Sequence, residues 1–337
     1  MKIRNYLAAG VFAPLLLASA AVAQDVYVLT DRGINFLSPM VRAFQEETGY
    51  SVSVRSVDGD VVDFLLDNED SQSASVLVTA SITLLDDAYR AGLTMNPQSE
   101  VLEQAVPAEF RHPDNQWFGI TRRLRGLYVS SNASEWLRTL SYEDLADPRL
   151  DGRICIRSGT HNYNLGLFSA YATHYGREEA EQWLAGLKSN LSRSPQGNDR
   201  AQMRAVSEGL CSVAIANSYY YGLARSNHRQ RDWAEQINLV FPRFERGGTH
   251  VNISGMAMLS TVENVDAARA FMEFQLSAQA QDLYARRNFE YPMIEGVAQN
   301  DFTSSWGEFE PDAIGQQDIA DLHVWARGAV ERIGFND

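Results

Sequence analysis

Cysteine is scarce in this chain: 337 residues carry two, Cys155 and Cys211. The six histidines, His112, His161, His174, His228, His250 and His323, are scattered. None has zinc-ligand spacing, which excludes a zinc module. Positive charge is short as well. Twenty-nine Lys and Arg face 43 Asp and Glu, for a net charge of −14. That balance disfavours nucleic acid and anionic membranes and suits a cation. No G-x-S-x-G and no phosphate-binding loop appears, and no nucleophile–base set supports an enzyme. There is no internal repeat and no low-complexity segment. Long apolar runs are missing beyond the N-terminus. There, Lys2 and Arg4 precede "LAAGVFAPLLLASAAVA", which ends in Ala21-Val22-Ala23. A positive head, a short apolar stretch and an A-x-A end describe a secretory signal peptide, and Pro14 argues against a membrane helix. Cleavage after Ala23 starts the mature chain at Gln24. As Gln24 is not Cys, no lipoprotein signature is present. The mature protein is therefore expected to be exported. In that setting two cysteines suggest one disulfide. Two free thiols or a metal pair are the alternatives.

What is there is an alternation of strands and helices. "DVYVLT", "SVSVRSV" and "SVLVT" read as strands by their β-branched content. "FLSPMVRAFQEETGY", "DVVDFLLDNE" and "SITLLDDAYRAGL" read as helices between and after them, the second opened by Asp60. A β-α-β-α-β-α order implies a parallel sheet with helices on both faces. "WFGITRRLRGLYVS" (117–130) is long enough to cross between lobes. A second α/β series follows from "RICIRSG", and "VNISGMAML" (251–259) is a run that could cross back. The fold class expected is α/β, two lobes with an interlobe cleft and two crossing hinge strands. The divisions are a signal peptide at 1–23, one lobe at 24–122 with 256–306, and another at 123–255 with 307–337. Ligands of such sheets sit at strand C-terminal ends.

The strand "SVAIAN" is followed directly by "SYYYGLARSN", so Tyr219, Tyr220 and Tyr221 open the next element. Adjacent phenols at a cleft-facing strand end suit a trivalent hard cation, which prefers oxygen donors and eases their deprotonation. A tyrosine-rich sugar or peptide pocket, or plain core packing, accounts for the triplet equally well.

Seven segments change that balance: "ANSYYYG", "RSPQGNDRAQMRAVSEG", "RGGTHVNISGMAM", "FEYPMIEGV", "HNYNLGL", "WFGITRRLR" and "LADPRLDGRICIRS". In their order and spread the chain resembles the periplasmic ferric-ion-binding proteins that feed ABC iron importers. The resemblance implies a transferrin-like periplasmic binding fold holding Fe3+ in the interlobe cleft. It matches the family's paired tyrosines to Tyr219 and Tyr220 and a further tyrosine to Tyr163. Tyr221 falls where the family varies and reads as packing. Cys155 and Cys211 match a pair found in many members, which supports the disulfide. A monomer that hands its ion to an inner-membrane ABC permease is implied.

The chain also departs from the pattern. Gly33 and Ile34 stand where a His, or His-Tyr, is common, and an acidic residue expected near Ser75 is missing. Water, carbonate or a chelator such as citrate would complete the shell, unless Asp31, Asp58 or Asp60 reaches in. Strand alternation puts Arg123 and Arg125 on one face and Arg122 on the other. Arg123 is expected to approach the cleft and offset phenolate or anion charge. Asn198 and Asn217 serve either as donors to an anion or tyrosine oxygen or as turn formers. "GGTHVNISG" reads as a hinge. His161 is expected on a loop surface.

Overall fold

A computed structural model describes residues 25–57, 61–67, 71 and 73–337. The signal peptide expected at 1–23, and Asp58 and Asp60, lie outside the described residues. Ten strands form the sheet structure: β1 (Val26–Thr30), β2 (Val52–Ser56), β3 (Val76–Thr79), β4 (Thr94–Met95), β5 (Phe118–Ser130), β6 (Ile154–Cys155), β7 (Val213–Asn217), β8 (Ile237–Val240), β9 (Val251–Leu259) and β10 (Tyr291–Pro292). Their order is β2-β1-β3-β9-β5-β7-β6, with β10 and β8 added on β5 and β4 on β9.

The first three strands are parallel, as the alternation with helices requires. Their C-terminal ends, at Thr30 and Thr79, therefore open on one edge. The helix Ser38–Thr48 joins β1 to β2 and buries Met40, Val41, Ala43 and Phe44. Pro39 sits in its first turn, where its missing N–H costs nothing, and Gly49 ends it at φ 78°. The helix Ile82–Arg90 follows β3 and is capped by Ser81, whose hydroxyl accepts from the Thr83 N–H.

β5 is the strand on which the architecture turns. From Phe118 to Leu124 it pairs with β9. From Arg125 to Val129 it pairs with β7, and from Leu127 to Ser130 with β8. One strand thus belongs to two sheets, and the change of partner falls between Leu124 and Arg125. β9 lies in the first sheet along its whole length, against β3 as well as β5. The return crossing comes just before it, where Arg125 N–H donates to His250 O and Thr249 bridges to Pro311.

In the second sheet β6 and β7 are parallel neighbours. Cys155 on β6 and Cys211 just before β7 form a disulfide, with Cα atoms 5.9 Å apart and a sequence separation of 56. Replacing both cysteines by Ser is expected to cost about 2–4 kcal/mol of stability. A urea unfolding midpoint unmoved by the change would show that the bridge contributes nothing.

Among the described residues no helix is long and apolar enough to cross a membrane.

Candidate metal centre

β7 runs as buried Val213–Asn217, and the chain then turns straight into the helix Tyr219–Ser226. Tyr219 and Tyr220 occupy its first turn. Their rings lie 4.1 Å apart with planes inclined by 31°. Tyr163 enters from a second helix, Asn162–Tyr175, also in the first turn. Both helices direct their N-terminal, partly positive ends at the same place, which favours negative charge on the phenol oxygens. Tyr163 is 9% exposed and Tyr219 2%. Tyr221, one residue on, points the other way. It packs on Tyr128, Phe302 and Trp306 and donates its hydroxyl to Ile237 O at 3.2 Å.

Burial first, and then Tyr163 and Tyr220 as neighbouring phenols, push the Tyr219 phenol well above its ordinary value; Arg123 and Arg32 oppose this. Tyr220 is raised by the same burial and by Tyr163 and Asp199. Neither hydroxyl ionises by itself near neutral pH. A cation must draw the protons off.

Arginines ring the three phenols. The Arg123 guanidinium carbon lies 5.6 Å from the Tyr163 ring and 5.8 Å from the Tyr219 ring. Arg125 and Arg157 stand 5.9 and 5.3 Å from Tyr163, and Arg200 stands 5.4 Å from Tyr220. Strand alternation on β5 puts Arg123 and Arg125, both fully buried, on the site's side. Arg122 faces away and donates to Pro292 O. Arg123 donates through Nη2 to Ala80 O, just past β3, and to Ile253 O on β9, tying these neighbouring strands together. Its Nε and Nη1 are buried without a partner.

Beneath Tyr163 and Tyr220 lies a largely buried network. Arg125 donates to Asp199 Oδ2 at 2.7 Å, to Asn217 Oδ1 at 3.2 Å and to Asn164 Oδ1 at 2.5 Å. Arg157 meets Asp199 Oδ1 at 3.2 Å. Asp199 Oδ2 also accepts the Asn217 N–H at 2.8 Å, which fixes the strand end just before the tyrosines. Burial opposes charge on Asp199, yet Arg125, Arg157 and that N–H hold it below the usual carboxylate range.

Of the paired asparagines, Asn217 belongs to this buried network, with its Nδ2 unpartnered. Asn198 is exposed, and its oxygen accepts from the Ala201 N–H to cap the helix Asp199–Ser207. It is therefore a turn former. His161 is not on a loop surface as expected. Its Nδ1 caps the second tyrosine helix by accepting from Tyr163 N–H, and its ring lies 4.5 Å from that of Tyr163. Burial first, then Arg157, push it down to about 3, so the imidazole is neutral and free to accept.

The first lobe presents no carboxylate in the place sequence pointed to. Gly33 and Ile34 are exposed. Ser75 lies at the N-terminal end of β3, opposite the cleft, and its hydroxyl accepts the Tyr27 N–H. An acidic residue there would not reach the tyrosines. Asp31 is held back by the Ala80 N–H at 3.1 Å, and burial raises its pKa. What faces the tyrosines instead is Arg32, which sequence reasoning missed. It is paired with Glu290 and Ser254 and lies over the Phe36 ring at 4.6 Å. Phe36 meets the edge of Tyr219 at 6.0 Å. Arg157, Asp199 and Arg200 were missed as well; no local pattern marks any of them. Among the described residues no group of three or more His, Cys, Asp or Glu could hold a metal.

A profile for bacterial extracellular solute-binding proteins matches residues 71–321. The chain belongs to that family. Among its solute-binding relatives, iron uptake protein A1 of a Synechocystis species is 37% identical over 86% of this chain and 81% of its own. The ferric ion-binding protein A of Pasteurella haemolytica, solved without iron, superposes with a TM-score of 0.88 at 38% identity, covering 94% of this chain and 99% of that one. A Trichodesmium protein solved in complex with iron and citrate superposes at 0.86 and 29% identity, covering 92% of this chain and 99% of that one. The resemblance to ferric-ion-binding proteins, and the two-lobed α/β fold it implied, are borne out.

Proposed function

We propose that this protein is the periplasmic binding component of an ABC iron importer, a monomer that holds Fe3+ through the phenolates of Tyr163, Tyr219 and Tyr220 and passes it to an inner-membrane permease. The observation that carries the reading is the convergence of these three phenols under Arg123. Three phenolates balance the ion's charge but leave an octahedral shell short of oxygens. The unpartnered N–H groups of Arg123 and Asn217 supply what a bound anion needs, so carbonate or a chelator such as citrate completes the shell. Arg123 and Asn217 are the anion-binding side chains in this reading, without Asn198. The expected lobe division, 24–122 with 256–306 and 123–255 with 307–337, belongs to the same reading. The partner change at Leu124–Arg125 supports its first switch, and the pairing of β9 favours a return near His250.

The second reading is a binding protein of the same fold for chelated iron or another anionic solute, with the tyrosines as a hydrogen-bonding wall. The unpartnered Nε and Nη1 of Arg123 favour an anion in both readings. Colour separates them: phenolate-to-iron charge transfer tints the loaded protein in the first, and a protein colourless after iron loading would support the second.

Closure offers a further test. A ligand shifts an open–closed equilibrium only by its differential affinity for the two states. An ion bonded to the second lobe alone has little such difference. Iron with bicarbonate or citrate is therefore expected to shrink the radius of gyration in solution scattering, and anion-free iron to do so weakly. Full compaction on anion-free iron would point instead to a donor from the first lobe, such as Asp31.

A further inference from the structure

Just outside the tyrosine pair lies a second cavity, of about 800 Å³. Both lobes line it. Phe36, whose ring meets Tyr219, forms its inner end. Arg42 on the helix Ser38–Thr48 and Arg287, beyond the helix Ala278–Leu283, come from one side; Arg200 comes from the other. Glu46 is the carboxylate among the lining residues. Three cations and one anion therefore share a concavity in a chain of net charge −14. Elsewhere the arginines find carboxylates readily, as Arg90, Arg149, Arg204 and Arg332 do. Among the described residues Arg42 and Arg287, both exposed, make no ion pair or hydrogen bond. Arg200 has only the face of Tyr220, and its Nε is buried without a partner.

We propose that this cavity is an outer anion site that receives the uncoordinated carboxylates of a ferric polycarboxylate, so that the ion arrives as an intact chelate. The argument rests on the tyrosine–iron reading. A hard trivalent ion keeps oxygen ligands in water, and a polycarboxylate that gives some of its oxygens to the metal leaves others free. With the ion at Tyr219 and Tyr220, those free groups project past Phe36 into the cavity. Its volume is that of a small-molecule pocket, and its concave form suits a chelate better than an acidic protein surface. Because Arg200 belongs to one lobe and Arg42 and Arg287 to the other, such a chelate touches both.

The test is an R42Q/R287Q double variant, which alters two exposed side chains and leaves the tyrosines alone. Wild type and variant are titrated at low salt with ferric citrate, following the charge-transfer band. In parallel they are loaded with ferrous ammonium sulfate oxidised in air in bicarbonate buffer. The variant is expected to lose about tenfold in affinity for ferric citrate. Bicarbonate-loaded iron should bind as in wild type, and R42K/R287K should recover most of the loss. Unchanged affinity for ferric citrate would overturn the proposal and leave an acidic protein surface as the partner of these arginines. Equal loss with both iron sources would overturn it too, because the arginines would then act on the metal shell. Calorimetry with iron-free citrate reads the cavity independently of colour. A binding heat lost in the variant supports the outer site even if no iron band develops, an outcome that sinks the iron reading alone. No heat in the wild type with either citrate or ferric citrate would overturn the outer site.

Discussion

Replacing Tyr220 by Phe is expected to weaken ferric-ion binding by more than about a hundredfold, since losing even an outer-shell partner of a metal costs about 10–100-fold. The change removes one oxygen and little volume. The charge-transfer band should weaken with it. Tyr221→Phe is the control. Its phenol is spent on Ile237 O and on aromatic packing away from the cleft. The same hydroxyl accepts from Arg225 Nη1 at 3.1 Å, so the variant should lose about 1–3 kcal/mol of stability, the worth of two hydrogen bonds, and keep wild-type iron affinity. Equal iron affinity and colour in Tyr220→Phe and wild type would remove Tyr220 from the ligand set. Equal losses at 220 and 221 would mean that the triplet acts through packing.

Asp199→Asn is expected to destabilise the iron-free protein by about 3–5 kcal/mol, because it leaves Arg125 charged, buried and without its counter-ion. Both side chains are fully inaccessible. Urea unfolding of the apo form measures it, and a loss below about 0.5 kcal/mol would show that Asn164 and Asn217 satisfy Arg125 unaided. Acid should mimic the substitution in wild type. The carboxyl is held below its ordinary value. Its contribution is thus complete above the unfolded carboxylate value, about 3.9, and is lost as pH falls through the lower folded one.

The backbone plan was largely legible because it rests on local signals. β1 to β3 and their helices followed from β-branched runs and helical spacing. The unusual length of β5 announced a strand serving two sheets. The paired tyrosines were legible for the same reason: a strand end followed at once by a helix start is written in ten consecutive residues. Their chemistry was not, since a core or a sugar pocket accommodates the same triplet; only the wider resemblance favoured a metal there. The charged surroundings left no local trace. Arg32 and Glu290 stand 258 residues apart in sequence, and Arg125 and Asp199 stand 74 apart. Such pairs exist only once the topology has brought them together. Ser75 shows a different limit. Resemblance alone marks an acidic residue as missing near it, but the direction of β3 puts that position at the end far from the tyrosines.

The path of β9 has a consequence for how the molecule comes into being. The sheet carrying β1, β2 and β3 is joined to β5 through β9, whose last residue is Leu259. The strands of the other sheet, from Arg125 to Val240, form an uninterrupted stretch of chain enclosed within it. A polypeptide emerging N-terminus first therefore makes β1 to β3 early but cannot complete their sheet until the strands of the second sheet, with Tyr163, Tyr219 and Tyr220 among the residues between them, have already been made. Closing so long a loop costs only slowly rising entropy but takes time. The order of sheet closure thus runs against the order of synthesis: the sheet begun first closes only after the strands of the second have been made, and residues 307–337 then follow to pack on that second half.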